Sequence, residues 1–384
     1  MPRTELKQLV NRTDIVRIVL GWVAFAALLA ARPFLVAPTP WPILIVALCA
    51  IIAVILICAF GVVKQAEALA HRLGDPYGSL VLTLSIVLIE VILISAVMLG
   101  PGEHATIARD SVMAVAMIIL NLVIGLALLL GGMRHGGMAH NRTGTSAYLA
   151  MLVVLVGVAF AIPALIGIDG AYTTGQAIPI IAVTLGLYAF FLYRQMGAQA
   201  SDFTEVDPRL HRAAPSAEKT AAQGDGVRQI LAEHRAEVWV RLGLLVLTVL
   251  PIVLLSHDMA ALLDDGLGRL GAPVALAGVL IAAIVFLPES ITAIRAALGG
   301  EAQRVSNLCH GALVSTVGLT IPAVLIIGMV TDQKVLLAET PANLLLLGAS
   351  LLLSVTTFAA KRVTATHGAA HLALFAVYVV VLFS

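Results

Sequence analysis

The 384-residue sequence predicts an all-α, polytopic membrane protein, and three observations carry that prediction. Hydrophobic residues make up 60% of the chain and charged residues only 12%, a balance far from that of a soluble domain of this length. The apolar residues lie in long unbroken runs of the roughly 20 residues that a helix needs to cross the hydrocarbon layer, rather than in the alternating segments of about 10 residues that build a barrel. One long polar stretch, 194–237, interrupts them near the middle of the chain.

The first run, 15–32, follows the polar segment "MPRTELKQLVNRTD" and ends in "ARPFLVAPTPWP". It lacks a small-residue cleavage pattern and is expected to stay as a helix. Runs at 41–63, 77–100, 111–132, 147–166 and 177–193 complete the part before the polar stretch, and runs at 238–256, 272–298, 306–330, 341–360 and 366–384 follow it. The chain is therefore divided into an extra N-terminal helix (1–40), a first set of five helices (41–193), a polar linker (194–237) and a second set of five (238–384), about eleven crossings in all. The linker sequence "SDFTEVDPRLHRAAPSAEKTAAQGDGVRQ" is rich in Ala, Pro, Gly and charge, and reads as a mobile connection.

Basic residues orient the chain. With the N-terminus inside, nineteen of the 23 Lys and Arg fall on inner segments, and only Arg32, Arg109, Arg269 and Lys334 fall outside. This places the N-terminus and the linker in the cytoplasm and the C-terminus outside. A repeat is also visible. "LIEVILISAVMLG" and "LPESITAIRAALG" share Glu, eight residues, then Leu-Gly, so that Glu90 and Glu289 are 199 positions apart, as are Gly100 and Gly299. Downstream, Arg109 matches Arg304 and Ser111 matches Ser306 after a loop that differs by four residues. Five crossings per half force the two repeats into opposite orientations, the organisation of many secondary transporters.

Glu90 and Glu289 are the acids expected near mid-bilayer, whereas the others fall at helix ends or in loops. An ionised side chain at that depth costs about 2.5–3.5 kcal/mol on insertion scales, so two of them at matched positions need a partner or a purpose. If the inverted halves bring both to one site, protons or a cation can neutralise the pair, but not both at full strength. Such competition is exchange, whereas a bracing pair of permanently neutral acids would be purely structural. Carboxylates suit hard cations, and a Ca2+ shell takes about six to eight oxygens. Ser79 and Thr83 share a helical face with Glu90, and Thr292 lies three residues beyond Glu289. Pro288 has no N–H, so the Ile284 carbonyl loses its helical donor and becomes available. Asn121, together with Ser315, Thr316 and Thr320 in "ALVSTVGLTIP", completes the list of oxygen donors, while Gly125, Gly311 and Gly318 allow close packing. Each hydroxyl has an ordinary alternative, a bond to its own helix backbone. His310 reads as a packed histidine, or else as a pH-sensing one.

Other classes fit poorly. Cys49, Cys58 and Cys309 lack zinc or disulfide spacing, and a net charge of +1 without a basic patch gives no support for nucleic-acid binding. The sequence has no His-Glu-x-x-His, Gly-x-Ser-x-Gly or Walker pattern, so an enzyme is not expected, and no cofactor is implied. A passive cation channel remains the other transport reading.

"GDPYGSLVLTLSIVLIEV" (74–91), "PESITAIRAA" (288–297) and "STVGLTIPAV" (315–324), with eleven runs and a central polar linker, resemble the calcium/cation antiporter superfamily, and within it the bacterial Ca2+/H+ antiporters of the ChaA kind. The resemblance implies one extra helix plus two inverted five-helix repeats, a cation site between the repeat signatures, and alternating access driven by protons in a bacterial inner membrane. It carries the essential acids onto Glu90 and Glu289. It further implies Ca2+ export in exchange for H+, with Na+ or K+ as the alternative cation, because the Gly-Asn that precedes the acid in many Ca2+/H+ exchangers is missing from "SIVLIE" and "IVFLPE".

Overall fold

The computed structural model describes residues 11–73, 105–206, 235–273 and 275–384, with separate positions between 84 and 98. Among the described residues, ten helices are long and apolar enough to cross a membrane. They are α1 (Arg12–Ala31), α2 (Trp41–Leu73), α3 (Ile107–His135), α4 (Arg142–Ile166), α5 (Thr174–Met196), α6 (Arg235–Arg269), α7 (Ala275–Gly299), α8 (Ala302–Thr331), α9 (Pro341–Ala359) and α10 (Ala365–Leu382). Each covers one of the expected runs. The remaining run, 77–100, lies largely outside the described residues, but Val87, Leu88, Glu90, Val91 and Ile92 are helical. The chain is an all-α, multi-pass membrane protein.

α6 outruns its hydropathy. α6 continues thirteen residues past 256 to Arg269, because "SHDMAALLDDGLGR" is polar on one face yet rich in helix-forming Met, Ala and Leu. It stops at Gly271, whose φ of 65° supports a Schellman cap with Ala272 N–H on Leu267 O and Gly271 N–H on Gly268 O. α7 ends in the same way at Gly300, φ 88°, with Glu301 N–H on Ala296 O.

The contacts divide the chain into two compact units, and both draw on both sequence halves. Residues 1–97 and 218–288 form the first, and 98–217 and 289–384 form the second. Two of the three divisions, at 97/98 and 288/289, fall in the segments that carry Glu90 and Glu289.

In the first unit α1 packs on α2 and α6. At one end buried Asp14 meets Lys64 Nζ at 3.6 Å, and Arg241 donates to Gln65 at 3.1 Å. At the other, Arg32 pairs with Asp258, and the Thr39 N–H donates to Asp265 at 2.9 Å. Between the ends, Trp22 Nε1 donates to Leu247 O at 3.2 Å.

The second unit is built around α8, of which 22 of 30 residues are buried, as expected for a helix that is largely apolar all round. It packs on α4 and α5, while α3 packs on α10 and α9 on α4. At one end of the unit Asn141 N–H donates to Gln303, His135 Nε2 meets Leu298 O, and Met138–Ala139 (β1) pairs antiparallel with Arg362–Val363 (β2). At the other, Leu336 N–H donates to Ala105 O, and Leu337 and Ala338 N–H donate to Gly170 O. Each end gathers loops that alternating crossings assign to a single side. The expected mobile linker begins later than its composition indicates. A 3-10 turn at Ala200–Phe203 buries Phe203 against Tyr148 and Phe191, and Glu205 accepts from the Gln303 N–H in the first turn of α8, the place where a carboxylate is most stabilising. The rest of that stretch, 207–234, lies outside the described residues.

Candidate functional site

Glu289 follows Pro288 inside α7 and is 2% exposed, and Thr292, one turn later, is also buried. Pro288 leaves the Ile284 carbonyl without its helical N–H donor, so this stretch of α7 offers carboxylate, hydroxyl and carbonyl oxygens. On α8, Ser315, Thr316 and Thr320 are all buried. Ser315 accepts from the Tyr188 hydroxyl of α5 at 2.9 Å. A Cβ on Gly318 would stand 3.0 Å from the Tyr188 ring, so the bare backbone there lets α5 come close.

Asn121 sits in a π-helical turn, Ile118–Val123, within α3 and is fully buried. Such turns often mark functional positions. Its amide nitrogen donates to Ser350 Oγ of α9 at 2.7 Å, and its oxygen lies 3.4 Å from His371 Nδ1 of α10. His371 Nε2 in turn meets Thr357 Oγ1 at 3.3 Å. The Asn121 side chain thus ties three helices together with both ends of its amide engaged.

The 195-residue offset that matches Arg109 with Arg304 and Ser111 with Ser306 also matches Asn121 with Thr316, both fully buried. α3 starts at the end of the unit where Arg109 donates to Ala338 O, and α8 starts at the opposite end, where Gln303 meets Asn141. The matched helices therefore run in opposite directions, as an inverted repeat requires.

Glu90 is buried at 4% exposure beside Val87 and Ile94 in the first unit, and Ser95 spends its hydroxyl on Val91 O. Ser79 and Thr83 lie outside the described residues. Among the described residues there is no cluster of three or more His, Cys, Asp or Glu suited to a metal.

The family profile described as "Sodium/calcium exchanger protein" matches residues 43–197 and 240–384. The chain belongs to this exchanger family. The matched segments leave out residues 1–42, which include all of α1, and the stretch 198–239. Among curated proteins, the "Sodium-potassium/proton antiporter ChaA" of Escherichia coli (strain K12) is 32% identical over 338 residues, covering 86% of this chain and 87% of that protein. The "Putative ionic transporter y4hA" of Sinorhizobium fredii (strain NBRC 101917 / NGR234) is 34% identical over 322 residues, 83% of each. Among solved structures, native YfkE aligns with a TM-score of 0.64 over 96% of this chain and 99% of its own, at 15% identity. The H+/Ca2+ exchanger CAX aligns at 0.65 over 96% and 89%, also at 15%. These two share the exchanger fold. Family membership agrees with the resemblance carried by the sequence motifs, and the members of this family are transporters.

This exchanger carries buried titratable groups at each end of its second unit. Glu339 is buried, accepts from Thr340 N–H and Asn343 Nδ2, and lies 3.9 Å from Arg109, which also pairs with Asp110. Burial, the largest influence, pushes its carboxyl up. Nearby Tyr172 donates to Val158 O, and burial pushes its hydroxyl up to about 12. At the other end, burial pushes His140 down, and its Nε2 meets Phe358 O at 3.0 Å. His310 is fully buried between Tyr148 and Phe358, with Nδ1 on Ser306. Sequence reasoning missed Tyr188, Ser350 and His371. His371 had a readable signal, a polar ring inside an apolar run, the same oddity that singled out the glutamates.

Proposed function

We propose that this exchanger is a secondary cation/proton antiporter of the cell membrane in which Glu289 and Glu90 take either the transported cation or protons, in competition. The observation that carries the reading is Glu289, a carboxylate 2% exposed inside a membrane-crossing helix next to a proline. Held there, an ionised carboxylate is costly, and a proton or a metal ion relieves that cost. An empty, ionised site is costly, which discourages uncoupled return and favours strict exchange over a channel. Thr292, Ser315, Thr316 and the Ile284 carbonyl are the donors we assign around Glu289, and Ser79 and Thr83 those around Glu90. Asn121 acts instead by holding α3, α9 and α10 together.

Na+ or K+ is the cation we assign first, because the relative that shares 32% identity across 86% of this chain is named for them. Export of Ca2+ in exchange for H+ is the second reading. Two carboxylates match a divalent charge, and solved exchangers of the same fold bear that ion in their names.

Inverted membrane vesicles with an acid interior test the proposal. Adding Na+, K+ or Ca2+ should release protons from wild-type vesicles for the true substrate alone, and both Glu289→Gln and Glu90→Gln should lose the release. Full coupled exchange in either variant removes that residue from the mechanism. Cation uptake without proton release would make the protein a channel.

A further inference from the structure

In the first unit, α1 and α2 part around a slot of about 550 Å3. Small side chains open it: Ala24, Ala27 and Ala31 on α1, and Ala47 and Ala50 on α2, with Leu255 of α6 also lining it. Its lining on α2 runs from Pro42 to Val54. At about 1.5 Å per residue this is roughly 18 Å, a little over half of a hydrocarbon core of about 30 Å and close to the depth of one leaflet. Its lining is made of apolar side chains throughout, so it suits an extended hydrocarbon chain.

The end of the slot towards Phe34 and Pro42 is an interface. Phe34 and Val36 stand about 70% exposed, Trp41 is exposed with the Arg269 guanidinium 4.7 Å over its ring, and Arg32 pairs with Asp258 at 3.2 Å. Trp and Arg are the residues that settle at headgroup depth. Arg32 and Asp258 present both signs side by side, the complement of a zwitterionic headgroup rather than of a purely anionic one.

We propose that the slot is a phospholipid site: one acyl chain of a phosphatidylethanolamine lies between α1 and α2, its phosphate at Arg32 and its ammonium at Asp258. The lipid fills a gap that apolar side chains leave open, and so joins the N-terminal helix to α2 through dispersion contacts that neither helix makes alone. This assignment is independent of which ion the exchanger carries.

The test uses the whole protein reconstituted in vesicles of equal phosphatidylethanolamine and phosphatidylglycerol, then extracted in mild detergent and weighed intact by native mass spectrometry. The wild type should retain one phosphatidylethanolamine per chain. Ala27→Phe with Ala47→Phe, which fills the slot, should lose the adduct. Arg32→Gln, with the slot open, should keep a lipid but lose the preference for phosphatidylethanolamine. An adduct unchanged in the filled variant, retention of phosphatidylglycerol instead, no adduct in the wild type, or a mass of two chains in its place would each overturn the proposal. Should the filled variant fail to fold, wild-type protein decides the matter: bromine on the acyl chain of phosphatidylethanolamine should quench Trp22 and Trp41 fluorescence more than bromine on phosphatidylglycerol does, and equal quenching would reject the site.

Discussion

α3 and α8 are repeat partners that have diverged in use. At matched positions α3 has Asn121 and α8 has Thr316. Asn121 is joined to Ser350 and His371, from two other helices, whereas beside Thr316 the neighbouring Ser315 receives one hydroxyl, that of Tyr188. An amide with both ends engaged works as a fastener. The hydroxyls of α8 are those we assign to the transported ion. Duplicated halves need not keep duplicated chemistry, and on the proposed reading one partner holds the unit together while the other serves the exchange.

The sharpest way to break this contrast is to exchange the phenotypes. Asn121→Leu should be the most destabilising change, because it leaves Ser350 and His371 buried with lost partners at about 1–3 kcal/mol per group. Thermal unfolding in detergent should show a clear drop in Tm. Thr316→Val should lower Tm less than Asn121→Leu does and raise the KM for the transported cation about tenfold, equivalent to roughly 1.4 kcal/mol. If Thr316→Val lowers Tm without touching KM, the two positions are fasteners alike. Tyr188→Phe removes one hydrogen bond of about 0.5–1.5 kcal/mol, and vesicle assays should find a rise in KM of only a fewfold.

The smallest effects sharpen the contrast at the two ends of the unit. α3 begins beside Glu339, whose carboxyl burial pushes up. A raised acid lends stability while protonated and loses it as pH rises through its folded value. Glu339→Gln should therefore have a higher Tm than wild type in alkaline buffer, with the difference closing in acid. His140, at the end where α8 begins, is pushed down by burial, so its contribution is present above the ordinary imidazole range and lost as pH falls. His140→Gln should lessen the acid sensitivity of Tm, the opposite sense from Glu339→Gln. Parallel rather than opposed pH profiles would show that neither group governs its end.

Most of the architecture was legible because a bilayer demands long apolar runs, and those runs mark ten of the helices directly. Glu289 was legible for the same reason, as a charge where the solvent is hydrocarbon. The length of α6 was not, since hydropathy stops at 256 while helix propensity continues through Met259, Ala260 and Leu263. The partners of Asn121 were not legible either. Ser350 and His371 lie 229 and 250 positions away in sequence, and they meet Asn121 only because α9 and α10 pack where they do, which no local periodicity encodes. Tyr188 escaped notice because one tyrosine in an apolar helix looks like ordinary packing until Ser315 is found opposite its hydroxyl.

The left-handed glycines at 271 and 300 flank the helix that bears Glu289, one closing the helix before it and one closing its own C-terminus. With its C-terminal carbonyls already capped, α7 gains little from winding another turn onto that end or unwinding one. Any lengthwise displacement of Glu289 that accompanies transport is then best accommodated by the whole rod, with the tight turns on either side acting as its pivots.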